Sequence, residues 1–229
     1  MEIKAIIFDL DGTVIENDVV YQEAFQEVFD SLGEKPGARL TLVGGIGVKG
    51  EWDKLKDFYK LKTKKFSEEL SILTQQRYLA KLDSIYLKKG FKEFIRKIKK
   101  DGVKVALATS NNRSVVDDVL KKFDLEGFFD TVTTAEEVRY QKPQPDIFKI
   151  TAEKLDLDFS SCLVVEDSQA GILAAHEAGM KVVGIARDNK HREVLKEADI
   201  VIDDYSKLTD IPFKGETLQS VINWIIWQR

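Results

Sequence analysis

Cysteine, histidine and proline are scarce in this chain: 229 residues hold one cysteine, two histidines and four prolines. A single cysteine excludes a disulfide framework within the chain and fits a reducing compartment. That residue, Cys162, opens the apolar run Cys162-Leu163-Val164-Val165 with no activating group beside it, which suits a buried structural thiol rather than a nucleophile. No apolar stretch approaches the roughly 20 residues that a bilayer-spanning helix needs. The greasiest segment, Val221 to Trp227, is expected to be a final helix docked on the core, with a dimer contact as the alternative. No leader-like segment precedes the first strand, so the cytoplasm is the expected location, for a monomer or homodimer. Charge of one sign is not in excess either. Lys and Arg number 35 against 39 Asp and Glu, for a net charge of −4. Neither nucleic acid nor a membrane surface is therefore an expected partner.

What is present is an ordinary globular composition, 43% hydrophobic and 32% charged, at a length that suits one or two domains. The first informative window is Ala5-Ile6-Ile7-Phe8-Asp9-Leu10-Asp11-Gly12-Thr13. A short apolar run bounded by a turn signal reads as a strand buried on both faces of a parallel sheet. Ligands of open α/β sheets sit beyond the carboxyl ends of the strands, which is where Asp9 and Asp11 fall. Two acids held that close repel unless a cation or a proton intervenes, so the window is either a metal site or a plain Asp-Gly turn.

Apolar spacings of three and four predict a helix over 18–32, ended by Gly33. A glycine-rich turn, Gly44 to Gly50, and two charged helical stretches, 51–60 and 67–89, follow without a convincing strand. Beyond Gly90 helices and strands alternate: helix 91–100, strand 103–109, helix 113–123, strand 131–133, a helix opened by Lys142-Pro143-Gln144-Pro145-Asp146, strand 163–165, helix 170–178, and strands 181–186 and 200–202. That alternation predicts an α/β fold, a doubly wound parallel sheet with helices on both faces.

Three further strand ends carry chemistry. Ala108-Thr109-Ser110-Asn111-Asn112 places hydroxyls and a helix start beyond an apolar run, suited either to a phosphate or to plain helix capping. Lys142 precedes a helix and can serve as a point cation for a phosphoryl group, although most lysines are solvated. Glu166-Asp167-Ser168 puts two acids directly after a buried strand, as metal ligands or as a cap for the next helix.

In the order and spacing of these four segments the chain resembles the haloacid dehalogenase-like superfamily of phosphohydrolases. Asp9-Leu10-Asp11-Gly12-Thr13 matches the first motif, Thr109 the second, Lys142 in Lys-Pro-Gln-Pro-Asp the third, and Glu166-Asp167-Ser168-Gln169-Ala170-Gly171 the fourth. The resemblance spans about residues 3 to 205. It implies a Rossmann-like core, residues 1–14 and 89–229, with an inserted helical cap, residues 15–88, like that of the β-phosphoglucomutase and phosphoglycolate phosphatase branch.

The resemblance also implies a mechanism. Asp9 is the expected nucleophile, forming an aspartyl-phosphate, and Asp11 the acid/base. Mg²⁺ is expected on the Asp9 carboxylate, the Asp11 main-chain carbonyl and Asp167, with Glu166 as a further ligand or a support behind them. Thr109, Ser110, Asn111 and Lys142 are expected around the phosphoryl oxygens of a small phosphorylated substrate. Like charges 4 Å apart repel by about 4 kcal/mol at an effective dielectric of 20, which the metal and Lys142 offset. Asp11 favours phosphoryl transfer over dehalogenation, since a halide leaves without a proton. A phosphatase is the leading expectation, ahead of a sugar phosphomutase and of a non-catalytic module whose lysine-rich insert binds an acidic partner. Two departures weaken the mutase: Tyr21 stands where that branch carries a cap histidine, and Glu16-Asn17 where many members have Asp-Ser or Asp-Thr. The glycine turn lacks the arginine often found there. Lys49 is then a candidate for a distal anion, against the plainer reading of a flexible turn.

Overall fold

The computed structural model describes residues 2–33, 40–211, 213 and 215–227; the rest of the ranges 1–14, 15–88 and 89–229 lies outside the described residues. Strand β1 (Ala5–Phe8) is followed by a tiny strand β2 (Ile15–Glu16), helices α1 (Asp18–Ser31), α2 (Gly47–Tyr59) and α3 (Ser67–Leu79), and a second tiny strand β3 (Tyr86–Leu87). The remainder alternates: α4 (Phe91–Lys100), β4 (Lys104–Ala108), α5 (Arg113–Lys122), β5 (Thr131–Thr133), α6 (Asp146–Lys154), β6 (Cys162–Glu166), α7 (Gln169–Glu177), β7 (Lys181–Ile185), α8 (Asn189–Val194), β8 (Ile200–Ile202) and α9 (Leu218–Trp227).

Six strands form one sheet in the order β5-β4-β1-β6-β7-β8, and every neighbouring pair is parallel. This is the α/β sheet that the alternation predicted. β1 sits in the middle and is buried along its whole length. Its side chains alternate between two cores, as the two-residue period of a strand requires. Ile6 and Phe8 join the cluster containing Phe91, Phe94 and Val116, while Ala5 and Ile7 join the one containing Phe148 and Ile172. The helices fit because their apolar residues recur on one face: Phe91, Phe94, Ile95 and Ile98 are the buried residues of α4.

Between β1 and β4 the chain forms a helical insert. Trp52 of α2 is fully buried there, with its ring 5.5 Å from that of Phe25 and its Nε1 donating to Thr74 Oγ1 at 2.8 Å. Two features depart from the sequence expectation. β2 and β3 pair antiparallel at the neck of the insert, and Lys88 N donates to Val14 O at 2.9 Å. Strands of two residues carry no readable periodicity. The helix expected over 67–89 accordingly stops at Leu79, because the chain must return to the core through that ladder. Part of the glycine turn is also ordered: α2 starts at Gly47, and the buried Glu51 accepts from Val43 N and Gly44 N at 3.0 and 2.6 Å. A further short helix, α8, holds His191; Asp188 caps it by accepting from His191 N at 2.7 Å. Val221 of α9 is buried in the larger core, with Trp224 packed against it.

Phe8 meets Phe91 edge-on at 5.4 Å and Phe94 at 6.1 Å. Phe8→Ala is expected to lower the unfolding free energy by about 3–5 kcal/mol in urea titration. A loss under about 1 kcal/mol would mean that the site collapses around the missing ring.

Candidate active site

The carboxyl ends of the three central strands converge on one lysine. Lys142 lies in the loop before α6, its side chain wholly buried. Its Nζ donates to Asp9 Oδ1 beyond β1 at 2.6 Å, to Glu166 Oε1 at the end of β6 at 2.8 Å, and to Ala108 O at the end of β4 at 3.3 Å. An ammonium has three protons, and here each has an acceptor. Burial alone would lower the Lys142 pKa, but the carboxylates of Asp9 and Glu166 outweigh it and hold the lysine charged.

Asp9 is buried at 6% exposure, and its backbone N donates to Val165 O at 3.0 Å, which fixes it to the neighbouring strand. Burial raises its pKa, with the charges of Glu166 and Asp11 adding to the rise and Lys142 opposing it. Leu10 O then accepts from both Val14 N and Ile15 N, closing a tight turn. In that turn Gly12 has φ +71°, and a Cβ there would stand 1.9 Å from Asp167 Oδ2. Only glycine lets the Asp167 carboxylate come so close. Burial and the nearby charges of Glu166 and Asp9 push Asp167 well above the usual carboxylate range.

Glu166 is fully engaged. Besides Lys142 on Oε1, its Oε2 accepts from Ser168 N at 2.7 Å and Ser168 Oγ at 2.9 Å. Gly171 leaves room for it, since a Cβ there would fall 1.8 Å from Oε1. The Ser168 hydroxyl also caps α7 by accepting from Gly171 N at 3.0 Å, so the capping reading of this segment holds.

Asp11 is held on both oxygens. Asn17 Nδ2 donates to Oδ1 and Asn111 Nδ2 to Oδ2, each at 2.5 Å. Burial raises Asp11 to about 6, with the Asn17 hydrogen bond, the Lys142 charge and the Asn111 hydrogen bond opposing the rise. Thr109 is buried, and its Oγ1 accepts from Asn111 N at 3.2 Å. Ser110 Oγ donates to Gly45 O of the insert at 2.9 Å. Ser110 thus stands beyond the end of β4 and Lys142 in the loop before α6, while the side chain of Asn111 turns to Asp11.

Beside them lies a cleft of about 500 Å³ between insert and sheet, lined among others by Ile46, Lys49, Lys54, Ser110, Gln141 and Lys142. Lys49 faces it as an ion-paired side chain, 3.3 Å from Asp53 and 3.4 Å from Glu68.

Four carboxyl groups here face one hydrogen-bonded ammonium. Among the described residues no three His, Cys, Asp or Glu side chains form a metal-ligating cluster. The donor set that could hold a cation is instead the Asp9 and Asp167 carboxylates, close enough for the Asp9 charge to raise the Asp167 pKa. All oxygen and in negative excess, it fits a hard divalent cation. Sequence reasoning missed Asn17, Tyr21 and Tyr78 as parts of the site. Asn17 has the look of an ordinary helix cap and occupies that position, yet its side chain caps nothing and is spent on Asp11.

A parallel sheet with two aspartates past its central strand, and a lysine bridging three strand ends, is the architecture of a phosphate-handling hydrolase. Residues 6–185 match the family model described as haloacid dehalogenase-like hydrolase, and the chain belongs to that family as an HAD-like phosphatase. It is 33% identical to the Bacillus subtilis protein YhcW over 185 residues, 79% of this chain and 82% of that protein. It is 29% identical over 206 residues to the Thermotoga maritima phosphorylated carbohydrates phosphatase, covering 86% and 92% of the two chains. Among solved structures, the β-phosphoglucomutase from Clostridium difficile superposes with a TM-score of 0.77 at 25% identity, over 98% of this chain and 99% of that one.

Lys142→Met removes the ammonium and leaves Asp9 and Glu166 buried and unpaired. It is expected to destabilise the protein by about 3–5 kcal/mol, measured by chemical denaturation at pH 7, with most of the loss recovered at pH 5. Asp9, whose pKa burial already raises, gains a proton on losing its partner, and the neutral form bears burial better.

Proposed function

We propose that the protein is a Mg²⁺-dependent phosphatase that hydrolyses a small phosphorylated metabolite through an aspartyl-phosphate on Asp9. The observation that carries this reading is the arrangement at the strand ends: Asp9 pinned through Oδ1 to Lys142 at 2.6 Å, with Asp11 two residues on, held by separate donors. One acid is thereby fixed as nucleophile, and the other is kept free of the lysine for proton transfer.

The Asp9 carboxylate attacks phosphorus while the bond to the leaving oxygen breaks, and Asp11 gives that oxygen its proton. Asp11 then takes a proton from water, which attacks the phosphoryl group and frees Asp9. Lys142 offsets the repulsion between carboxylate and phosphate, and Thr109 and Ser110 hold the phosphoryl oxygens. Asp9, the Asp11 carbonyl and Asp167 would hold Mg²⁺, which supplies charge neutralisation at the phosphoryl oxygens. Glu166 belongs to this reading as the group that holds Lys142, since Lys142 and Ser168 occupy its oxygens.

Residues 15–88 act as a cap over a core of 1–14 and 89–229, and the cleft between them takes the substrate. A phosphorylated carbohydrate is the class we favour, on the likeness to the Thermotoga phosphorylated carbohydrates phosphatase and the size of the cleft. No helix among the described residues is long and apolar enough to cross a membrane. The cytoplasm fits the buried Cys162, whose thiol burial raises to about 11. The protein would work there as a monomer or homodimer.

Asp9→Asn is expected to abolish phosphate release from p-nitrophenyl phosphate in saturating Mg²⁺; retained turnover would remove Asp9 as nucleophile. Mg²⁺ alone is expected to raise the thermal midpoint of the wild type, and to do so far less for Asp167→Asn. Equal shifts in the two proteins would place the ion elsewhere. With hexose phosphates, release of inorganic phosphate is expected to outpace isomer interconversion; the reverse would identify a mutase.

A further inference from the structure

Asp11 is gripped by a network that the mechanism above does not use. Its two donors are carboxamides, and a carboxamide can turn over, presenting oxygen instead of nitrogen. Here both are fixed at the far end. Asn17 Oδ1 accepts from Gly12 N at 3.3 Å, and the second proton of Asn17 Nδ2 goes to Tyr78 Oη at 2.9 Å. Asn111 Oδ1 accepts from Tyr21 Oη at 2.7 Å. Tyr21 of α1 and Tyr78 of α3 stack, with ring centroids 4.0 Å apart and 12° between planes, and both are buried.

The parts come from two sides of the molecule. Tyr21 and Tyr78 belong to the helical insert, and Asn111 to the sheet. Three successive residues of the loop after β4 each bond a different piece of the insert: Ser110 to Gly45 O at 2.9 Å, Asn111 to Tyr21, and Asn112 Nδ2 to Gln75 Oε1 at 3.3 Å. Moving the insert away from the sheet would separate Tyr21 from Asn111.

We propose that Tyr21 and Tyr78 are positioning residues for Asp11, which they orient through Asn111 and Asn17 once the insert is seated on the sheet. This rests on the reading of Asp11 as the acid for the leaving group. Proton transfer depends steeply on geometry, so a carboxyl gripped through both oxygens is aimed at one place. Without the Tyr21 hydroxyl, the Asn111 carboxamide is free to turn its oxygen toward Asp11, and the aim is lost.

The test is the dependence of kcat/KM on the leaving group, from p-nitrophenyl phosphate through phenyl phosphate to alkyl phosphates. kcat/KM covers the steps through departure of the leaving group and excludes the later attack by water. p-Nitrophenolate leaves with little help, whereas an alkoxide needs a proton. Tyr21→Phe keeps the ring and its stacking, and is expected to depress alkyl phosphates about 10-fold more than p-nitrophenyl phosphate. Set against the roughly 10²–10⁴-fold worth of general acid catalysis, that is a partial loss. Tyr78→Phe is expected to act in the same direction, and it serves as the test if Tyr21→Phe does not fold. A uniform fall across the series, or no change of slope in a folded variant, would overturn the proposal. Asp11→Asn is the reference. If it fails to steepen the slope, the acid assignment itself is wrong; if it steepens the slope while both tyrosine variants do not, only the positioning role falls.

Discussion

One buried ammonium organises this molecule's working end. Lys142 touches residues at the ends of β1, β4 and β6, three strands adjacent in the sheet. Those ends carry four carboxyl groups taken largely out of water; burial raises the pKa of Asp9, Asp11 and Asp167, and the charge of Glu166 adds to the rise of Asp9 and Asp167. A single cation bridging two of them makes the cluster tolerable and splits the acids into roles. Asp9 and Glu166 share the lysine; Asp11 is kept by carboxamides, and Asp167 lies against Gly12. The negative excess that remains is what a hard divalent cation would balance.

Two glycines make that crowding possible. At Gly12 and Gly171 a methyl group would overlap the carboxylates of Asp167 and Glu166. Gly45 and Gly47 do comparable work where insert meets sheet: a Cβ on Gly45 would stand 2.2 Å from Ser168 Oγ, and one on Gly47 3.0 Å from Ser110 O. The glycine turn of the insert is thus shaped to lie on the two loops that carry the chemistry. The bond to Asp11 and the contacts between insert and sheet occupy the same few residues, Ser110 to Asn112 above all. Whatever holds the insert in place therefore also holds Asp11.

Much of this was legible beforehand. Apolar runs of four or five residues marked β1, β4 and β6, because a strand buried on both faces must be apolar throughout. Their ends exposed Asp9, Asp11, Thr109 and Glu166-Asp167, and Lys142 stood out once the motif order was seen. The two-residue strands at the neck left no pattern to find, and α8 is too short for periodicity to resolve. Asn17 stood out only where many members have Asp-Ser or Asp-Thr, Tyr21 only where that branch carries a histidine, and Tyr78 not at all. Each acquires a role only through a partner, and those partners lie as far away as residues 61 and 90 positions apart in the chain.

The chain by itself determined the alternation of strands and helices, the burial of the first strand on both faces, and the types of group delivered to the sheet's carboxyl edge. These follow from periodicity and from side-chain chemistry, which are local properties. Only the tertiary structure decided which acid meets the lysine, that both Glu166 oxygens are already engaged, and that Asn111 turns to Asp11. Such choices depend on distances between segments far apart in sequence, set by how the insert and the sheet pack. A residue's chemistry is written in its side chain, but its job is assigned by the atoms that come to surround it.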